Sequence, residues 1–356
     1  MKRYCQTIII CVFCLSVFFN NSMAQKISPA SHDTISIMAV GDIMPGTNFP
    51  SADYLPPDNG KSIFNPVKEL LQNADLTFGN LEGALLDSGG TVKKCQDMNK
   101  CYAFRIPEHY INYFTEAGFD LLNIANNHSG DFGNTGRAST MKVLDAAGIY
   151  YAGLRSCPSV IFKKDGLTYG FCAFSPFTGT MDILQTDTAR AIVAHLDSLC
   201  DIVIVSIHAG AEGAAYRHVT RQTELFYDED RGNMYQFSHA MIDAGADVIL
   251  GHGPHVTRAV ELYKNRFIAY SLGNFCTYAR FNLKGSNGVA PAIKIYTNLK
   301  GEFLKAQVFS IKQTGEGGPV PDDEYTAIKE LIELTASDFP ESPLTISLQG
   351  KIEVRR

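Results

Sequence analysis

Short apolar runs alternate along this chain with longer stretches whose apolar positions recur every three or four residues. The short runs read as buried strands and the longer ones as amphipathic helices. Thr34 to Val40 is a strand by this pattern, and Asn65 to Asn73 a helix with Pro66 suited to its first turn. Asp75 to Phe78 is a short strand, Pro107 to Ala117 a helix stopped by Gly118, and Asp120 to Ala125 another strand. Gly136 to Ala147 is a helix stopped by Gly148.

The second half repeats the alternation. Val160 to Phe162 and Thr168 to Phe174, split by Lys164-Asp165-Gly166, carry a hairpin signal. Thr188 to Leu199 is helical, Asp201 to Ile207 a fully apolar strand, Asn233 to Ala244 a helix and Asp247 to Leu250 a strand. Ala259 to Tyr263 and Phe267 to Ser271 read as a second hairpin, and Val289 to Tyr296 and Glu302 to Ile311 as further strands. Gln313 to Asp322, rich in Gly and Pro, reads as a linker. Asp323 to Ala336 reads as a terminal helix expected to pack back onto the domain, and Leu344 to Val354 as a candidate strand. Strand–helix alternation with late hairpins argues for α/β layers around a mixed sheet.

The first residues follow a different logic. Lys2 and Arg3 precede an apolar stretch, Thr7 to Phe19, shorter than a typical membrane span, and Ser22-Met23-Ala24 places small residues at a cleavage site. Residues 1–24 are therefore expected to be a signal peptide cut after Ala24, leaving a periplasmic or cell-surface protein; an uncleaved N-terminal membrane anchor is the alternative. Residues 33–312 would form the domain and 313–356 the linker and C-terminal extension. Cleavage leaves 29 basic against 37 acidic residues, a net charge of −8. That balance disfavours nucleic acid as a partner, because non-specific binding to phosphates needs a cationic face. Six cysteines remain, and Cys95 and Cys101, flanking a polar loop, are the disulfide candidates; no Cys-x-x-Cys pair suggests a thiolate zinc site.

The chemistry sits where the apolar runs stop. Asp42 follows Ile37 to Val40, and Glu82 follows Gly79-Asn80-Leu81. Either carboxylate alone would serve equally well as a helix cap or a solvated turn residue. Asn126-Asn127-His128 follows Leu121 to Ala125, and Gly, Pro or Ser would be the usual turn residues there. An Asn can supply a carbonyl ligand and a neighbouring His a proton. His208 closes the Ile202 to Ile207 run, where a satisfied core histidine is an equal reading. His252 and His255 are held three apart by Gly251, Gly253 and Pro254. Together these segments present the converging carboxylate, imidazole and amide donors that divalent metals require.

In this order the segments resemble the CapA family of capsule-synthesis proteins, also called poly-γ-glutamate biosynthesis proteins, over about Ile35 to Ile311. Gly41-Asp42-Ile43-Met44, Gly79-Asn80-Leu81-Glu82 and Asn126-Asn127-His128 with Asp131 and Gly133 carry the likeness. So do His208 to Glu212, Gly251 to Val256 and Tyr270 to Phe275. That family is similar to calcineurin-like metallophosphoesterases, which implies a four-layer α-β-β-α sandwich. The resemblance implies Asp42, Glu82, Asn127, His208, His252 and His255 as metal ligands, with Glu82 bridging. His128 takes the general-acid position, oriented by Asp131. Glu212, Asn80, Asn126, Asn274 and Arg217 are expected to orient ligands or contact substrate. Two departures stand out: Met44 occupies a position where those enzymes usually carry His, and Glu82 one where they usually carry Asp. One metal position is therefore poorer in ligands.

The expected function is an exported protein with a metal-dependent hydrolase-type site holding one or two Mn, Fe or Zn ions. It would act on a phosphoester or on the amide of a γ-linked glutamate chain in cell-surface polymer metabolism. Arg217, Arg221, Arg231, Arg258 and Arg280 could contact such an anionic polymer or phosphoester, although solvated loop charges serve equally for any one of them. The alternatives are a non-catalytic, polymer-binding accessory of membrane-bound synthase subunits, and a secreted metallophosphatase or nucleotidase.

Overall fold

The computed structural model describes residues 33–94 and 101–355. The expected signal peptide or anchor lies outside the described residues, and none of the described helices is long and apolar enough to cross a membrane. Two large sheets, of ten and six strands, dominate the domain. In the larger, Thr34–Met44 lies at the centre, parallel to Leu76–Leu81 and antiparallel to Val289–Asn298. Leu121–Asn123 and Tyr150–Ala152 extend the parallel half, and Phe303–Gln313, Lys351–Val354 and Leu344–Ile346 the antiparallel half. In the smaller sheet, Ile202–His208 runs parallel to both neighbours, Leu167–Phe174 and Val248–His252. Antiparallel strands Ser159–Lys164 and Val260–Tyr263 close its two edges.

The period-two alternation of side chains assigns each strand face to a layer. Ile35, Ile37 and Ala39 pack between the sheets with Ile202, Ile204, Val248 and Leu250. Met38 and Val40 face outward, in one cluster with Phe114 of helix Ile111–Ala117 and Leu144 of helix Gly133–Ala147. On the opposite side Val203, Val205 and Ile207 cluster with Val193 of Thr186–Asp197 and with Phe237 and Met241 of Met234–Asp243. The result is the four-layer α-β-β-α sandwich of metallophosphoesterase type. Each fully buried Phe, Leu or Ile contributes about 1.5–3 kcal/mol, so three such clusters hold the layers far more firmly than any surface ion pair.

Several local expectations are corrected. The first strand does not stop at Val40: it runs through Met44, with its register shifted next to Asp42, so Asp42 is presented from within a strand. Asn65 to Asn73 is a single 3₁₀ turn, Asn65–Val67, followed by a one-turn helix, Lys68–Leu71. The segment read as a linker is partly sheet, because Pro319–Pro321 pairs with the Phe303–Gln313 strand. Its first residue, Gln313, is buried, accepting from Thr277 N–H at 2.7 Å and donating to the Asn274 carbonyl at 3.0 Å. The final strand is a hairpin of two. Helix Thr326–Asp338 packs back as expected, placing Ile328 and Leu331 in the inter-sheet core.

Parallel pairing brings the carboxyl ends of the central strands of each sheet to one edge. There His208 stands opposite His252, and Asp42 opposite both Asn80 and Asn274.

Candidate metal centre

Close backbone approach makes this edge. A Cβ on Gly41 would overlap the carbonyl oxygens of Leu272 and Gly273, so only glycine lets the first strand sit against that turn. Asp42 N–H then donates to the Gly273 carbonyl at 2.8 Å. His255 sits in the left-handed region at φ 59°, a conformation His tolerates better than most residues, which turns its ring back toward Asp42.

Asp42 is fully buried and shared among three partners. Its Oδ1 accepts from Asn80 Nδ2 at 2.8 Å and lies 3.3 Å from His252 Nδ1, while its Oδ2 lies 2.9 Å from His255 Nδ1. Burial alone would raise this carboxyl, but the imidazoles of His252 and His255 outweigh it and hold it well below the usual carboxylate range. Glu82, equally buried, has among the described residues no hydrogen bond to either oxygen. Its Oε1 faces three imidazoles instead: His255 Nε2 at 3.5 Å, and His128 and His208 Nε2 at 3.9 Å each. Burial pushes Glu82 up, countered by His255 and reinforced by the charges of Asp42 and Glu212. His255, in spite of its own burial, is pushed up to about 10 by Glu82 and Asp42. Two buried carboxylates side by side call for positive charge.

The donor set fits a divalent cation. One ligand atom each from Asp42, Glu82 and His255 lie within 4.8 Å of one another. Among the described residues, both Glu82 oxygens, His208 Nε2, His252 Nε2 and Asn127 Oδ1 are buried without hydrogen-bond partners. Orphaned buried groups cost about 1–3 kcal/mol each, and native proteins leave few of them. Unpaired carboxylate oxygens on Glu82 with unpaired imidazole nitrogens of His208 and His252, rings that lie beside Glu82 and Asp42, are what a bound cation satisfies. Met44, where an additional imidazole would be expected, is fully buried among apolar side chains beneath the outer helices and supplies no donor.

Around this group stand the supporting side chains. Asn80 Nδ2, besides its bond to Asp42, lies 3.1 Å from His208 Nδ1, and Asn80 Oδ1 accepts from Asn126 Nδ2 at 3.1 Å. Asn126 also donates to the Leu81 carbonyl and accepts from His128 N–H. His128 Nδ1 donates to Asp131 Oδ2 at 2.7 Å, leaving Nε2 toward Glu82. Asp131 accepts from Phe104 N–H and pairs with Lys93 Nζ at 2.6 Å. Asn274 Nδ2 donates to the Asn287 carbonyl, with its Oδ1 buried and unpartnered among the described residues.

Two of the expected residues point elsewhere. Glu212 accepts from Arg231 at 2.8 Å and acts on the cluster through its charge. Arg217 lies near Glu330 and Glu333 of the C-terminal helix, at 3.9 and 3.8 Å. Cys101 is disulfide-bonded; Cys95, its expected partner, lies outside the described residues. Sequence reasoning missed Lys93, Phe104 and Phe281. The Phe104 ring lies 4.2 Å from that of His128, and Phe281 is 5.2 Å from Phe104 and 5.7 Å from His255. Nothing local in the sequence marks them, since each lies in a loop without periodicity.

A two-sheet sandwich with carboxylates, imidazoles and amides gathered at its parallel strand ends defines a metallophosphoesterase-like domain. The chain belongs to the family described as bacterial capsule synthesis protein PGA_cap, whose model matches residues 36–279. The capsule biosynthesis protein CapA of Bacillus anthracis is 28% identical over 281 residues, covering 70% of this chain and 62% of the relative. The PGA biosynthesis protein CapA of Bacillus subtilis is 29% identical over 267 residues, covering 70% and 65%. The chain thus spans just under two thirds of the length of these relatives. Among solved structures, Haemophilus influenzae NAD nucleotidase aligns over 83% of this chain and 55% of its own, at 14% identity and a TM-score of 0.41.

Proposed function

We propose that this protein is exported and uses the Glu82 centre as a metal-dependent hydrolase-type site on an anionic cell-surface polymer, with a γ-linked glutamyl amide as the bond attacked. The observation that carries this reading is the buried Glu82 carboxylate, without a hydrogen bond among the described residues and faced by the Nε2 atoms of His128, His208 and His255. Asp42, Glu82, Asn127, His208, His252 and His255 would hold one or two divalent cations. A cation held there supplies Lewis-acid polarisation of the scissile group and lowers the pKa of water.

The chain's own residues supply the rest. His128, locked by Asp131 through Nδ1, presents Nε2 to the centre; as the imidazolium it gives the Nε2 proton to the leaving nitrogen and becomes the neutral ring, still donating from Nδ1 to Asp131. Phe104, packed over the His128 ring, keeps bulk water from that face. Asn80 ties Asp42 to His208, so that ligands from both sheets keep one spacing.

A second reading is favoured by Met44. With no donor there, the centre would be structural in a non-catalytic accessory that holds nascent polymer beside membrane-bound synthase subunits. Turnover of γ-glutamyl peptides and of a generic phosphodiester, by the wild type and His128→Ala, separates the readings. The hydrolase reading expects peptide turnover lost in the variant. Bound metal without turnover of either substrate supports the accessory, and turnover of the phosphodiester alone supports a phosphatase.

A further inference from the structure

Of the five arginines singled out in the sequence, three are hydrogen-bonded to acids and Arg217 lies near two. Arg217 lies between Glu330 and Glu333, and Arg221 pairs with Glu341 at 2.5 Å. Arg231 pairs with Glu212 and Glu229, and Arg258 with Glu224 at 2.8 Å. Arg280 differs: among the described residues no carboxylate lies within ion-pair distance of it. Its guanidinium carbon lies 4.7 Å from the ring centre of Tyr54 and 4.8 Å from that of Tyr102.

Two tyrosines on one guanidinium hold the cation by its π-attraction to the rings and leave in-plane N–H groups to hydrogen-bond. A planar fork of free N–H donors is suited to a carboxylate. The backbone is shaped to the same end. Ala279 adopts φ 63°, a left-handed conformation that a residue with a Cβ rarely adopts, and its N–H donates to the Glu316 carbonyl at 2.6 Å. That turn follows directly on strand Asn274–Thr277, which pairs with the strand bearing Asp42, and Tyr54 comes from the loop after that same strand.

The location connects Arg280 to the metal centre. Its neighbour Phe281 touches the His255 ring edge-on and stacks against Phe104, which covers His128. Tyr102 continues the row 6.5 Å beyond Phe104. His128 and His255 are also the more exposed members of the centre, at 8% and 13% of their side chains, against 0–1% for Asp42, Glu82, His208 and His252. The aromatic row therefore leads from the open side of the centre to an unmatched cation, in steps of 4.2 Å from His128 to Phe104, 6.5 Å on to Tyr102 and 4.8 Å on to Arg280.

We propose that Arg280, clamped between Tyr54 and Tyr102, anchors a carboxylate of an extended acidic chain at a distance from the bond held at the Glu82 centre. This rests on the polymer reading above and adds to it a length requirement. A lone phosphate or a single glutamate reaches one end of the row, whereas a chain with a carboxylate on each unit reaches both.

Calorimetric titration of the full chain with γ-linked oligoglutamates of increasing length, and separately with inorganic phosphate, tests it. The wild type is expected to gain affinity once the oligomer spans the row. Arg280→Gln should weaken those longer oligomers roughly tenfold or more, as expected for losing a charged hydrogen bond, and leave phosphate affinity unchanged. Arg280→Lys should fall between, because an ammonium lacks the planar fork, and both variants should keep the wild-type thermal midpoint. Wild-type affinity for long oligomers in Arg280→Gln overturns the anchor and leaves the polymer reading standing. Equal weakening of phosphate and oligomer overturns it too, by showing a general disturbance. Failure of the wild type to bind any oligomer overturns both readings.

Discussion

Asn80 Nδ2 lies 2.8 Å from Asp42 Oδ1 and 3.1 Å from His208 Nδ1, so one buried amide ties a carboxylate of the larger sheet to an imidazole of the smaller. Its carbonyl oxygen meanwhile accepts from Asn126, which in turn receives the His128 N–H. Replacing Asn80 by Leu would leave Asn126 Nδ2 with only the Leu81 carbonyl and strip Asp42 of a donor. The expected loss is about 2–3 kcal/mol of stability, read by urea unfolding. A loss below 0.5 kcal/mol, on the order of a surface substitution, would show that the amide is not the tie described.

Gly41→Ala is expected to be worse than its single methyl suggests. The added carbon meets two backbone carbonyls, which cannot rotate away as a side-chain end would. A destabilisation of about 3 kcal/mol follows, together with displacement of Asp42. Thermal unfolding and the metal affinity of the variant should fall together; a variant stable and binding like the wild type would refute the close approach.

The buried Arg258–Glu224 pair supports the loop after His208. Arg258 donates to both Glu224 oxygens at 2.8 Å and to the carbonyls of Ala211 and Tyr216. Glu224→Gln removes the countercharge from a buried guanidinium and should cost about 3–5 kcal/mol. Arg258→Met with Glu224→Met should recover much of that loss. A double variant no better than Glu224→Gln would locate the pair's value in its backbone bonds instead.

The layers were legible in the residues because burial imposes a period. Ile37 and Ala39 against Met38 and Val40 already separate the inter-sheet face from the helix face. The donors were legible because each ends an apolar run. What lay hidden depended on contacts across long sequence separations. Nothing near Arg217 announces that Glu330 and Glu333 will claim it, and nothing near Phe104 announces that it will cover His128. The Pro319–Pro321 strand was masked by glycines and prolines that usually signal a linker, but a sheet edge accepts proline when its missing N–H faces outward.

Asp247, at the foot of strand Val248–His252, gives a pH dependence that does not involve Asp42 or Glu82. Burial pushes its carboxyl from 3.8 up to about 6, partly offset by the Val203 N–H at 2.7 Å and by Arg266 at 3.1 Å. The folded state thus holds a proton that the unfolded chain releases at lower pH, and stability falls as pH rises between about 4 and 6. Asp247→Asn keeps an acceptor for Val203 and lacks the titration. Between pH 4 and 7 the variant should gain about 3 kcal/mol on the wild type. A difference independent of pH, in urea unfolding at several pH values, would contradict this.

Calorimetric titration of Mn²⁺ and Zn²⁺ into chelator-treated protein, wild type beside Glu82→Ala, tests the central claim. The buried donors around Glu82 predict saturable binding of one or two cations per chain and its loss in the variant. A wild type that takes up neither ion, or a variant that binds both as tightly, would contradict it.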